Sequence, residues 1–135
     1  MAHYLLDTNI LSDVIRDPKG RVARRVERAA PDDNCTSIIV AAELRFGAVK
    51  SGSRRLSTRV AELLDRLDVV PFDAPADFAY AELRTRLERA GRPIGANDLL
   101  IAAHALALDL TLVTDNEREF SRIPDLRFEN WLRGS

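Results

Sequence analysis

The sequence predicts an α/β protein in which a short parallel β-sheet of four to five strands lies between helices, in a three-layer α/β/α arrangement. Three observations predict it. Short apolar runs ending in polar residues alternate with longer segments of helical period, and strand–helix–strand order makes the strands parallel, with helices on both faces. One segment, 98–108, is apolar almost throughout, as a helix buried against a sheet must be. The chain has 135 residues, 46% hydrophobic and 30% charged, without repeats, low-complexity stretches or Gly/Ser-rich linkers. It therefore reads as one domain over 1–135 with its own core.

The first strand covers roughly Tyr4–Leu6 and ends at Asp7-Thr8-Asn9, three side chains that suit a helix N-terminus. An amphipathic helix follows over 10–15 and is broken by Pro18 and Gly20. An Arg-rich helix then runs to about Ala29 and stops before Pro31. Asn34–Ser37 suits a buried strand, and a long helix follows over 40–50, stopped near Gly52. Leu56, Val60, Leu63, Leu64 and Leu67 give 54–67 a helical period. Residues 68–72 form a strand limited by Pro71, which belongs at a sheet edge or a strand end. Pro75 suits the first turn of a helix carried by Phe78, Ala81, Leu83 and Leu87 to Gly91. After the apolar helix come a fourth strand at 111–114, a short helix at 115–121 and a weak strand within 126–131.

Charge excludes some functions and leaves others open. Twenty Lys and Arg against 21 Asp and Glu give a net charge of −1, which excludes a histone-like polycation and an acidic disordered tail. Nucleic acid stays open, because a surface patch is local and net charge is a sum. Lys19 and Lys50 are the only lysines. Arg favours bidentate contacts to phosphate, but GC-rich coding also raises Arg, so the bias alone assigns nothing. The lone Cys35 has no disulfide partner, no run approaches ~18 apolar residues, and Met1-Ala2-His3 lacks the basic start of a signal peptide. A cytoplasmic protein without a membrane segment is expected.

Ligands of parallel sheets gather at the carboxyl ends of the strands, so the residues there carry the functional reading. Asp7 follows the first strand; an Asp in that position is by itself more often an N-cap than a catalyst. Glu43 is one carboxylate in the apolar stretch Ile38 to Leu44, where it must pair, protonate, bind a cation or lie on a narrow polar stripe. Asp98, after Asn97, opens the apolar helix; either residue suits a cap, leaving the other to project elsewhere. Asp115, Asn116 and Glu119 can reach the same edge after the fourth strand, whereas Glu117 reads as solvated. Converging carboxylates without a cation would repel and hold protons, and an all-oxygen set selects Mg²⁺ or Mn²⁺ over Zn²⁺. His3 and His104 are the only imidazoles, and His104, within Ala102-Ala103-His104-Ala105, reads as a core histidine.

Five ordered blocks resemble the PIN-domain family, specifically the VapC toxins of type II toxin–antitoxin pairs. They are Leu5-Leu6-Asp7-Thr8-Asn9, Ala42-Glu43-Leu44-Arg45-Phe46-Gly47, the run Ile94 to His104 around Asn97-Asp98, Leu112 to Asn116 with Arg118-Glu119-Phe120, and Glu129-Asn130-Trp131. The resemblance implies a PIN-like fold and a Mg²⁺-dependent endoribonuclease, with Mn²⁺ as a possible substitute. Asp7, Glu43 and Asp98 take the positions of the acidic core. For the fourth acid, many relatives have a carboxylate where this chain has Asn116, so Asp115, Asn116 and Glu119 stay open, with Glu119 favoured and Asn116 supporting. Thr8, Asn9, Ser37 and Thr114 are expected to orient the acids or the phosphate, and Lys50 and Arg92 to contact the RNA backbone.

The same resemblance implies a homodimer, a cognate VapB-type antitoxin whose carboxyl-terminal segment places an Arg in the acidic site, and a toxin–antitoxin hetero-oligomer. Among RNAs, tRNA is the expected target of so small a domain. A Mg²⁺ phosphatase with Asp7 as nucleophile would ask for an Asp at position 9, which is Asn9. A non-catalytic PIN-type module, binding RNA or protein without cleaving, is the stronger rival.

Overall fold

The computed structural model describes residues 2–29 and 32–133. β1 (Tyr4–Leu6) leads to α1 (Thr8–Arg16) and α2 (Arg21–Arg28), and β2 (Asn34–Ser37) to α3 (Ile38–Ser51) and α4 (Arg54–Asp65). β3 (Asp68–Val70) leads to α5 (Ala76–Arg89) and α6 (Ala96–Leu108), and β4 (Thr111–Val113) to α7 (Glu117–Phe120) and β5 (Phe128–Glu129). The sheet order is β3-β2-β1-β4-β5, with every pairing parallel. Leu5 of the central strand stands beside Cys35 on one side and Leu112 on the other.

Successive side chains of a strand point to opposite faces, so burial of neighbours reports on both sides of the sheet. Leu5 and Leu6, Cys35 and Thr36, and Leu112 and Val113 are all fully buried. Helices therefore cover both faces, as the three-layer expectation requires. α6 supplies Ile101, Ala102, Ala103 and Ala105 to this core. The chain winds outward from β1 to β3, then returns to the other flank of β1 as β4. The switch in winding direction falls between β1 and β4, where the ends of two strands diverge and leave a crevice.

Several boundaries differ from the sequence expectation, each for a local reason. α3 starts at Ile38, directly after β2, because Ser37 caps it and accepts a hydrogen bond from the Ile39 amide at 3.0 Å. It ends at Gly52, whose φ of +71° places it in the left-handed region that glycine adopts without strain. α6 begins at Ala96 with Gly95 at its cap, so neither Asn97 nor Asp98 is the cap; both lie in the first turn. α7 is only four residues long, because side-chain bonds fold 114–116 into a turn. β3 ends before Pro71 and is an edge strand, as a proline there requires. Pro75 occupies the α5 N-cap instead of its first turn. The expected breaker Pro31, like Met1, lies outside the described residues.

Candidate active site

The carboxyl end of β1 delivers Asp7 to the N-cap of α1, so the capping and functional readings describe one residue with two tasks. Its Oδ1 accepts the Thr8 amide at 2.7 Å and its Oδ2 accepts the Thr114 hydroxyl at 2.8 Å. Thr114, fully buried at the end of β4, also accepts the Asn116 amide at 3.0 Å. Glu43 projects from the second turn of α3. The Thr8 hydroxyl donates to its Oε1 at 2.6 Å and the Asn97 amide to its Oε2 at 3.1 Å. Asp98, from the first turn of α6, completes an open cleft of about 430 Å³ lined by Asp7, Thr8, Asn9, Ser12, Arg16, Glu43 and Asp98.

A second acid stands against Asp98. The Asn116 side-chain amide donates to Asp98 Oδ2 and to Glu119 Oε2, both at 2.9 Å, and the Gly95 amide donates to Glu119 Oε1 at 2.8 Å. Of the three open choices for the fourth position, Glu119 is thus the carboxylate beside Asp98, and Asn116 is the donor between them. Asp115 turns away, toward Asn130 at 2.9 Å and Arg133 at 3.6 Å.

The electrostatics record crowded negative charge. Burial pushes Asp7 above the ordinary carboxylate range and the charge of Glu43 adds to the push, against the bonds from Thr114 and Thr8. Asp98 is pushed up to about 8, first by burial, then by its bond to Glu119 and the charges of Asp7, Glu119 and Glu43. Glu119 moves down, first through that same bond. The Asp98–Glu119 pair therefore holds one proton into the neutral range, and its titration belongs to both groups. Cys35 is inert, its buried thiol pushed up to about 12.

Among the described residues, no three Asp, Glu, His or Cys side chains form a ready-made metal-ligand group. The donor set still suits a hard divalent cation. Asp7, Glu43 and Asp98 offer only oxygens, no thiol or imidazole lines the cleft, and Arg16 is its only cationic lining residue. A cation entering there would offset the burial and the neighbouring negative charges that push Asp98 up.

Ser37, in contrast, is fully buried and bonded to the Ile39 amide and to His104 Nδ1 at 2.8 Å. It fixes the start of α3, and through it Glu43, and cannot touch a phosphate. His104 is a core histidine, as its apolar setting suggests. Lys50, on the last turn of α3, and Arg92, after α5, are exposed and do not line the cleft. Arg16 does, although the sequence analysis did not single it out. The signal was present: Thr8, Ser12 and Arg16 recur every fourth residue, one face of a helix. Asn97, expected either to cap the helix or to project elsewhere, projects to Glu43, 54 positions away in sequence.

Comparison with known proteins agrees with this geometry. The PIN domain family matches residues 4–126. The chain is 44% identical over 130 residues to the ribonuclease VapC2 of Rickettsia felis, covering 95% of this chain and 97% of that protein. It is 37% identical over 132 residues to the tRNA(fMet)-specific endonuclease VapC of Shigella flexneri, covering 97% and 99%. The solved structure of VapBC2 from Rickettsia felis, bound to a DNA fragment from its promoter, aligns with a TM-score of 0.89 at 43% identity over 97% of this chain and 99% of that one. On these matches and on the acidic cleft at the β1–β4 switch point, the chain belongs to the PIN-domain family, among its VapC ribonucleases.

Proposed function

We propose that the chain is a Mg²⁺-dependent endoribonuclease toxin that hydrolyses an RNA phosphodiester in the cleft of Asp7, Glu43 and Asp98. The convergence of these three carboxylates from β1, α3 and α6 on one open pocket, in a chain of this family, carries the reading. Asp7 and Asp98 would hold the metal, with Glu119 behind Asp98. When bound, Mg²⁺ or Mn²⁺ supplies Lewis acidity and lowers the pKa of water. Asp7 keeps one orientation because Thr8 and Thr114 occupy one lone pair on each oxygen. Glu43, fixed by Thr8 and Asn97, accepts the proton of the attacking water as general base. Arg16 supplies positive charge at the mouth of the cleft for a phosphate oxygen.

The Shigella relative is named for tRNA(fMet), which supports tRNA as the substrate class. A VapB-type antitoxin is the proposed partner. The groove of about 650 Å³ between α1, α2 and α4, walled by Val14, Ile15, Ala23, Val26 and Leu63 and flanked by the charged Glu27, Arg59, Glu62, Asp65 and Arg66, suits an amphipathic helix, and neighbouring solved structures are VapBC complexes. Exposed Ile38, Phe46 and Val49 on α3 and Phe78 on α5 offer a second copy an apolar surface, which supports a homodimer within a toxin–antitoxin hetero-oligomer. No helix among the described residues is long and apolar enough to cross a membrane, and the cytoplasm, where RNA is available, is the proposed location.

The test is cleavage of tRNA and of total RNA by antitoxin-free protein, wild type and Asp7→Asn, with Mg²⁺ and with EDTA. Cleavage that needs Mg²⁺ and vanishes in the variant is expected. A variant that cuts like wild type, or cutting indifferent to EDTA, would overturn the mechanism; RNA binding without any cleavage would establish the non-catalytic module instead.

A further inference from the structure

The closing Glu129-Asn130-Trp131 block has no role in the cleft chemistry, yet Asn130 is buried, with 1% of its surface exposed. Its side-chain amide donates one hydrogen to Asp115 Oδ1 at 2.9 Å and the other to Glu117 Oε2 at 3.0 Å. Its carbonyl Oδ1 accepts the Leu132 amide at 3.0 Å, which fixes the end of the amide that faces the acids. An amide nitrogen has two donors, and both are aimed at carboxylates here. Without them, two like charges two residues apart would repel and open the turn between them.

That turn presents Asn116. It is held on its far side by Asn9, whose Oδ1 accepts the Asp115 amide at 3.0 Å, and from within by Thr114. Asn116 in turn bridges Asp98 and Glu119. Asn130 has a rigid base: the Glu129 carbonyl accepts the Thr114 amide at 2.9 Å, and Trp131 is buried beneath Arg25, 4.3 Å from its ring centre.

We infer that Asn130 is a positioning residue of the active site: by tying Asp115 to Glu117 it sets the turn that holds Asn116 between Asp98 and Glu119. The inference rests on the ribonuclease reading only for its kinetic consequence. It concerns geometry, and the geometry can be measured separately.

The experiment compares wild type, Asn130→Asp, and Asn130→Asp combined with Glu117→Gln, which restores one amide and two carboxylates to the cluster. Amide hydrogen exchange is read at Asp115 and Asn116, with Ile101 and Ala102 of α6 as internal controls, and RNA cleavage is read as kcat and KM. Asn130→Asp is expected to speed exchange in the turn roughly 10- to 100-fold with α6 still protected. It is also expected to lower kcat roughly tenfold or more while KM stays within about twofold. The double variant, in which the amide at 117 donates to the carboxylate at 130 while Asp115 still faces that carboxylate, is expected to recover part of both losses. Asn130→Ser, which keeps one donor, is the milder variant should the aspartate fold poorly, and is expected to show a smaller loss in the turn alone. Unchanged exchange in the turn, equal acceleration in α6, or no recovery in the double variant would overturn the inference. Wild-type protein that never cuts RNA removes the ribonuclease reading instead, and leaves the exchange result standing.

Discussion

The cleft and the core directly beneath it are built from the same elements under opposite rules. In the core, α6 lays Ile101, Ala102 and Ala103 against strands with no exposed surface, and each apolar group gains from its neighbours. One turn earlier on the same helix, Asp98 lies among Asp7, Glu43 and Glu119, and burial, its bond to Glu119 and the charges of all three acids raise the cost of charging it. The acids are crowded because they are held, by Thr8, Asn97, Thr114 and Asn116, in positions they would otherwise leave. The core supplies stability and the cleft uses some of it, the pattern expected where a site is preorganised for a ligand of opposite charge.

Asp98→Asn gives the largest separation of the two regions. RNA cleavage is expected to fall roughly 10²- to 10⁴-fold while the folded protein becomes more stable. The pH dependence carries the sign. The pair of Asp98 and Glu119 holds a proton that Asp98, pushed up to about 8 from its ordinary 3.8, keeps in the folded state, so the folded state binds more protons between those limits. Metal-free wild type should therefore be most stable below about pH 4 with respect to this group and lose that contribution as pH rises toward 8. The Asn variant should flatten this slope in denaturant titrations from pH 4 to pH 9. An equally steep slope in the variant would separate the cleft from the strain assigned to it.

Ile101→Ala attacks the other region. Removing this buried side chain is expected to cost about 2–5 kcal/mol in chemical denaturation while RNA cleavage per folded molecule stays close to wild type. Lost cleavage in a fully folded variant would mean that core packing, not the polar brackets, places the acids.

The smallest effect belongs to His104, one turn beyond Ile101 on α6 and bonded to Ser37. Burial holds its pKa below the ordinary histidine value of 6.5, against the Pro71 carbonyl and the charge of Asp73. A histidine lowered on folding stabilises above its ordinary pKa and loses that contribution as pH falls. His104→Gln should remove a modest loss of stability below about pH 6 in thermal melts without altering the Mg²⁺ requirement.

The strands, their parallel order and the acids at their ends were legible because they rest on local signals. Apolar runs of the right length ended at Asp7 and Thr114, Cys35-Thr36-Ser37 before Ile38 suited a buried pleat, and Gly52 and Pro71 marked stops. Asp7, Glu43 and Asp98 could be singled out because a carboxylate beside an apolar run is visible without a partner. Asn97 and Asn130 stood within the five ordered blocks but without a role, and Arg16 stood outside them. Their side chains are ordinary, and their importance lies in what they meet.

Sequence alone therefore determined the α/β class, the family and the three acids, since periodicity, strand ends and ordered blocks all act over short stretches of chain. Tertiary structure alone decided which oxygen faces which donor. Thr8 meets Glu43 across 35 positions, Asn97 meets Glu43 across 54, and Asp115 meets Asn9 across 106. The crossovers of a parallel sheet bring such distant residues to one edge, and the length and rotamer of each side chain then settle the contact. The same geometry moved Asp98 off the helix cap, set Glu119 beside it, and gave Asn130 two carboxylates to hold.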